Sequence, residues 1–138
     1  MSRGIRAARW PARLQHLAAG PLTGQREVWL DGGHNPGAGA MLGEHFGRQR
    51  LHLVIGMLDA KDPGSLTRPM ANSIASLTVV PVPGHDWHTA AVFGPEARRA
   101  SDVPSALAAL PSDGLPVLIA GSLYLAGEVL RLNDEIPD

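Results

Sequence analysis

The chain has 138 residues, enough for one domain with a real core. At 44% hydrophobic residues and a net charge of −1 it reads as an ordinary globular protein, with no general case for nucleic acid binding. Zero cysteines exclude disulfides and thiolate metal sites, and they fit a cytoplasmic protein.

In chain order, residues 1–12 carry Arg3, Arg6 and Arg9 among small residues and read as an arm or a remnant of a linker. That stretch lacks the apolar core of a secretory signal, and no run approaches the ~20 apolar residues of a membrane helix. "RLQHL" (13–17) and "EVWLDG" (27–32) flank a Gly/Pro-rich segment and predict a hairpin with a long loop. "NPGAGAMLGEHFG" predicts a helix: Asn35 can cap it, Pro36 suits its first position, and Ala38, Met41, Leu42, His45 and Phe46 form a stripe. Its glycines (37, 39 and 43) weaken the helix but allow close packing on a sheet.

"LHLVIGM" (51–57) has the length and near-continuous apolarity of a strand buried on both faces. "KDPGSLTRPMANSIA" then predicts a helix with Leu66, Met70 and Ile74 at helical spacing, kinked or shortened at Pro69. A strand is expected at 77–83, a short helix at 101–110, a last strand at 116–121 and a closing helix at 122–132; residues 84–100 give no clear pattern. Strands alternating with helices predict an α/β domain with a mainly parallel, Rossmann-like sheet of five or six strands and helices on both faces.

Ligands of such sheets sit beyond the carboxyl ends of the strands. Asp31–His34, Gly56–Asp62, Gly84–His88 and Gly121–Ser122 all fall there, so one rim is the expected site. Asp31 can reach ribose hydroxyls, hold a cation, or simply form the turn. Gly32 and Gly33 permit a close approach of ligand to backbone, as any tight turn would. His34 precedes the positive end of a helix, where anions such as phosphate are favoured, although a structural histidine fits as well. Lys61, the chain's only lysine, lies on the same rim as either a surface lysine or a functional one. Ser122 suits a helix cap; Tyr124 stands where the last glycine of a G-x-S-x-G elbow would be, which excludes a nucleophile of that type.

"HDWH" (85–88) could join His34 and Asp31 around zinc or manganese, but its spacing matches no ligand pattern, and the expectation is no metal site. No G-x-x-x-x-G-K-[ST] occurs, so the chain cannot cradle a triphosphate in a P-loop by itself.

Taken together, "WPARLQHL", "GP", "VWLDGGHNPGAGAMLGEHF", "LVIGMLDAKD", "VVPVPGH" and "VLIAGSLYLAGEVLRL" closely resemble the C-terminal domain of bifunctional dihydrofolate synthase/folylpolyglutamate synthase, of the Mur ligase superfamily. The resemblance runs over about residues 9–132, within a domain bounded at 13–138. It implies part of an ATP-dependent ligase that joins L-glutamate to dihydropteroate or reduced folates through an acyl phosphate. It implies ATP contacts at Arg13 and Asp31, and His34 as the catalytic candidate. Ser122, Lys61 and His34 become candidates for the γ-phosphate and glutamate site. The P-loop and the magnesium ligands would come from an N-terminal domain of the same enzyme. The expected protein is a cytoplasmic monomer, and this chain alone is expected to be inactive.

The chain departs from the family pattern in places. Ala12 stands at the glycine of "WPGR", Gly33 at the alanine before His34, and "MLDAKD" transposes the usual residues before Lys61. "DWHTAAVFGPEARRA" is too short for the helix and strand expected there. With no N-terminal domain before Met1, an excised domain or the product of a truncated gene is expected. A non-catalytic nucleotide-binding or partner-docking module is the alternative, and a metal hydrolase using His34, His85 and His88 is a third reading.

Overall fold

A computed structural model describes residues 14–135. Six strands form one sheet in the order β1-β2-β6-β3-β4-β5: β1 (Gln15–His16), β2 (Val28–Asp31), β3 (Leu51–Ile55), β4 (Ile74–Val79), β5 (Arg98–Arg99) and β6 (Val117–Ala120). Only β1 runs antiparallel, pairing with β2 as the hairpin pattern requires. All other pairs are parallel, so the α/β class and its six strands follow the sequence reading.

Helices cover both faces. On one, α1 (Pro36–Phe46) and α2 (Gly64–Thr67) bring Leu42, Phe46 and Leu66 onto Leu51, Leu53, Ile55 and Leu118. On the other, α3 (Val103–Ala109) and α4 (Leu123–Leu132) bring Val103, Leu107, Leu125 and Val129 onto Leu30, Val54, Val117 and Ile119. The alternation of Leu53 and Val54 between the two clusters is the period-two signature of a strand buried on both sides. His52 is also buried on β3. One ring nitrogen pairs with Ser76 Oγ at 2.7 Å and the other with Asp113 Oδ2 at 2.9 Å, so the polar residue is fully partnered.

Three expectations change. The helix expected over 61–75 is a single turn, α2, because Pro69 has no N–H to give Ser65 and the next turn cannot close. Ile74 belongs to β4, which starts there and ends at Val79, earlier at both ends than the expected 77–83. The glycines of α1 do not serve the sheet: Gly39 lies against the Ser65 carbonyl that Pro69 leaves open, and Gly43 against the Pro69 carbonyl. Residues 84–100 fold as an anchored loop, a 3₁₀ turn (Ala90–Phe93) and the two-residue β5.

Candidate functional site

The four strand ends do share a rim, and contacts between them show how it is held. Leu58 bridges Trp87, and His88 N–H donates to Met57 O at 3.0 Å, which joins the second end to the third. Gly121, at φ +116°, packs against Gly56 so closely that a Cβ would stand 2.7 Å from the Gly56 carbonyl oxygen, joining the fourth to the second. Gly32 packs against the side chain of Leu123, joining the first to the fourth. Ser65 Oγ donates to His34 O at 3.1 Å, fixing the start of α1 against α2. Leu123 and Ser65 carry no signal in the sequence, because their part is defined only across the fold.

β6 lies between β2 and β3, and the helix after it, α4, packs on the opposite face from α1 and α2, which follow β2 and β3, so a crevice opens between the strand ends there. That is where ligands of such sheets bind. A cleft of about 390 Å³ opens at this place, lined among others by Asp31, Gly33, His34, Gly37, Met41 and Leu123.

The candidate residues have distinct environments. Asp31 is only 1% exposed, and both carboxylate oxygens accept backbone N–H groups: Leu14 at 2.7 Å and Gly33 at 2.8 Å. It therefore ties the start of the hairpin to the turn before α1. Leu14 is held there at φ +46°, a left-handed conformation uncommon for such a residue. A Cβ on Gly33 would stand 2.7 Å from Asp31 Oδ2 and collide with Ala38, so this turn needs the glycine that replaces the family's alanine. His34 is half-buried in the cleft, and its imidazole has no hydrogen-bond partner among the described residues. Asn35 caps α1, its Oδ1 accepting from Ala38 N–H at 2.9 Å. With Pro36 at the first position, few donors at that helix end remain for an anion.

Ser122 is buried and caps α4, its Oγ accepting from Tyr124 N–H at 3.0 Å and Leu125 N–H at 3.4 Å. Lys61 sits on the rim but does not line the cleft; its carbonyl accepts from His88 Nε2 at 2.6 Å. Beside it, the Arg68 guanidinium and then the Gly64 N–H hold the Asp62 carboxyl below the usual carboxylate range. Arg13 lies outside the described residues. Among the described residues, no three His, Cys, Asp or Glu side chains gather as a metal site would. His88 is spent on the Lys61 carbonyl, and His85 is stacked on Tyr124 with ring centroids 4.1 Å apart. Nor is any described helix long and apolar enough to cross a membrane.

No family model matches the chain. It is 34% identical to a probable bifunctional folylpolyglutamate synthase/dihydropteroate synthase of Halobacterium salinarum, over 93% of this chain and 17% of that protein. It is 33% identical to the folylpolyglutamate synthase of Lacticaseibacillus casei, over 91% of this chain and 30% of that protein. The fold matches folylpolyglutamate synthase of Thermotoga maritima with a TM-score of 0.74 at 22% identity, covering 92% of this chain and 31% of that one. It also matches a Yersinia pestis bifunctional folylpolyglutamate synthase/dihydrofolate synthase holding AMPPNP and manganese: TM-score 0.71, 25% identity, 93% of this chain and 32% of that one. The chain thus spans under a third of each of these proteins, as a C-terminal domain of the Mur ligase type would.

Proposed function

We propose that this chain is the C-terminal domain of an ATP-dependent ligase that adds L-glutamate to dihydropteroate or reduced folates. The observation that carries this reading is a cleft between the β2 and β6 ends. In it Asp31 is committed to two backbone amides, while the His34 imidazole has no hydrogen-bond partner among the described residues and so can meet a ligand. Such a surface is half of a site. Relatives that are three to six times as long supply a natural source for the other half.

In this reading the nucleotide lies between the rim and an N-terminal P-loop domain of the same enzyme. Asp31 holds Leu14, the residue next in sequence to Arg13, and the Arg13 guanidinium is the group whose planar charge would steady phosphate oxygens as charge develops. His34 faces the transferred phosphate and the incoming glutamate, with Ser122 shaping the opposite wall through α4 and Lys61 reaching in from the neighbouring loop. Closure excludes water from the reactive acyl phosphate. Magnesium is the metal expected to accompany ATP, and in this reading its ligands come mainly from the N-terminal domain. The complete protein is expected to work as a cytoplasmic monomer.

The test is a chimera in which the matching segment of the Lacticaseibacillus casei enzyme is replaced by this chain. Glutamate- and folate-dependent phosphate release should appear in the chimera and fall at least 10²-fold with His34→Ala. A folded chimera without such release, or one indifferent to His34→Ala, would overturn the assignment.

A further inference from the structure

No hydrogen bond from the described residues holds the His34 imidazole, so its aim depends on the backbone beneath it. Before it, the Gly33 N–H donates to Asp31 Oδ2 at 2.8 Å; after it, Asn35 is fixed by its bond from the Ala38 N–H at 2.9 Å. The His34 carbonyl lies between these two anchors. Among the described residues its one hydrogen-bond donor is Ser65 Oγ, at 3.1 Å. Holding that carbonyl sets ψ of His34, and with it the direction in which the side chain leaves the chain toward the cleft.

We infer that Ser65 is a positioning residue, whose buried hydroxyl aims the His34 imidazole into the cleft and sets its separation from the Lys61–Asp62 loop. The inference rests on the proposed function for what His34 does once aimed. Ser65 Oγ also donates to the Asp62 carbonyl at 2.8 Å. A hydroxyl has one proton, so the two carbonyls share it, and one atom spaces the two loops. The far side of this bridge is rigid. Asp62 accepts from the Gly64 N–H at 3.0 Å and from the Arg68 guanidinium at 2.7 Å, and the Lys61 carbonyl accepts from His88 Nε2 at 2.6 Å. The carbonyl of Ser65, which Pro69 cannot engage, lies so close to Gly39 that a Cβ there would collide with it, so α1 rests directly on Ser65. Neither helix needs the hydroxyl for its own start: Asn35 caps α1, and the Ser65 N–H already bonds the Asp62 carbonyl at 3.1 Å. What the hydroxyl adds is alignment between the two.

Two measurements test this. In this chain, the ¹³C resonance of the His34 carbonyl reports the bond directly. Ser65→Ala should move it, and Ser65→Thr, which keeps the hydroxyl, should hold it near its original place. A resonance that Ser65→Ala leaves unmoved overturns the inference. In the Lacticaseibacillus casei chimera, Ser65→Ala should lower kcat about tenfold or more while KM for ATP and for glutamate stays within about twofold, because a misaimed group binds substrate but reacts poorly. Ser65→Thr should regain most of that kcat. Gly43→Ala controls for stability: it disturbs the packing of α1 against Pro69 away from His34, and should leave kcat near that of the unsubstituted chimera. Equal losses in Ser65→Ala and Gly43→Ala, or full kcat in Ser65→Ala, would overturn the positioning role. An unsubstituted chimera without glutamate-dependent release sinks the ligase reading alone, and the carbonyl resonance then decides for Ser65 by itself.

Discussion

Gly121 and Gly56 meet backbone to backbone: a Cβ on Gly121 would lie 2.7 Å from the Gly56 carbonyl oxygen and 3.1 Å from its carbonyl carbon. The contact brings the end of β6 against the end of β3 and sets where Ser122 begins α4. Gly121 is needed twice over, for the close approach and for its φ of +116°.

Gly121→Ala should therefore lower the stability of the chain by roughly 2–4 kcal/mol, combining backbone strain with overpacking against a carbonyl that cannot move cheaply. Gly114→Ala makes the contrast: its φ is +80°, but nothing lies within 4 Å, so only the strain remains, about 1 kcal/mol. Urea unfolding of both variants measures the difference. Equal losses would mean that the contact with Gly56 contributes nothing.

Alanine at Gly39 or Gly43 should destabilise by about 1–3 kcal/mol even though alanine favours helix by about 1 kcal/mol, because the added methyl meets the Ser65 or Pro69 carbonyl. At Gly37 the nearest atom to a Cβ is Asn35 Oδ1, at an ordinary 3.4 Å, and there the same change should be neutral or stabilise slightly. A common sign at all three positions in thermal melts would contradict the packing argument.

Asp31→Asn replaces one acceptor oxygen by an NH₂ that faces a backbone N–H, at either Leu14 or Gly33. A cost of about 1–3 kcal/mol is expected from the amide left unpaired. In the chimera the same change should raise KM for ATP more than KM for glutamate, through the displaced segment that carries Arg13. Lowered stability with unchanged KM for ATP would leave Asp31 a purely structural residue.

Arg13→Ala in the chimera should lower kcat/KM by roughly 10²–10³-fold, the scale of losing one transition-state donor. Arg13→Lys should recover only part of that, since a point charge lacks the planar fork. The isolated chain should show no ligase turnover and should bind ATP at millimolar Kd or weaker, about −4 kcal/mol or less. Calorimetry giving micromolar affinity would mean that the rim is a complete site.

Asp113 gives a pH dependence with a definite sign. The Leu115 N–H, and then the His52 side chain, hold its carboxyl below the ordinary value of 3.8 despite partial desolvation. The folded state therefore favours the ionised form. Its contribution is whole above about the ordinary value and is lost as pH falls through the lower folded-state value. Asp113→Asn should lower stability at pH 6 and narrow the gap to wild type below pH 4. Parallel pH profiles in urea titrations would show that Asp113 is not linked to folding.

Much of this was legible from local chemistry. Asn35-Pro36 announced α1, the apolar run at 51–57 announced a strand buried on both faces, which ends at Ile55, and the glycine-rich strand ends marked the rim. What stayed hidden depends on partners far away in the chain. The pattern Leu66, Met70, Ile74 has helical spacing, yet Met70 fills the core from a turn and Ile74 starts a strand, because Pro69 ends the helix first. Asp31 could be placed at the rim, but its burial and its two amide donors arise from Leu14, 17 residues away, and from the turn at Gly33. In the sequence Tyr124 marks only the missing glycine of a G-x-S-x-G elbow; its stacking on His85 appears only when β4 and β6 end on the same edge.

The position of β6 bears on how such a domain emerges from a ribosome. Residues 117–120 form the strand that joins β2 to β3, pairing with both. Until they are synthesised, the hairpin on one side and the β3–β4 pair on the other have no shared hydrogen-bonded ladder. Among the described residues the sheet is therefore completed by the last strand made, and α4, which seals one face, is later still. Such long-range pairing slows folding and leaves unpaired edges exposed while the chain waits. A nascent chain of this kind keeps the facing edges of β2 and β3 unpaired until residues 117–120 are available.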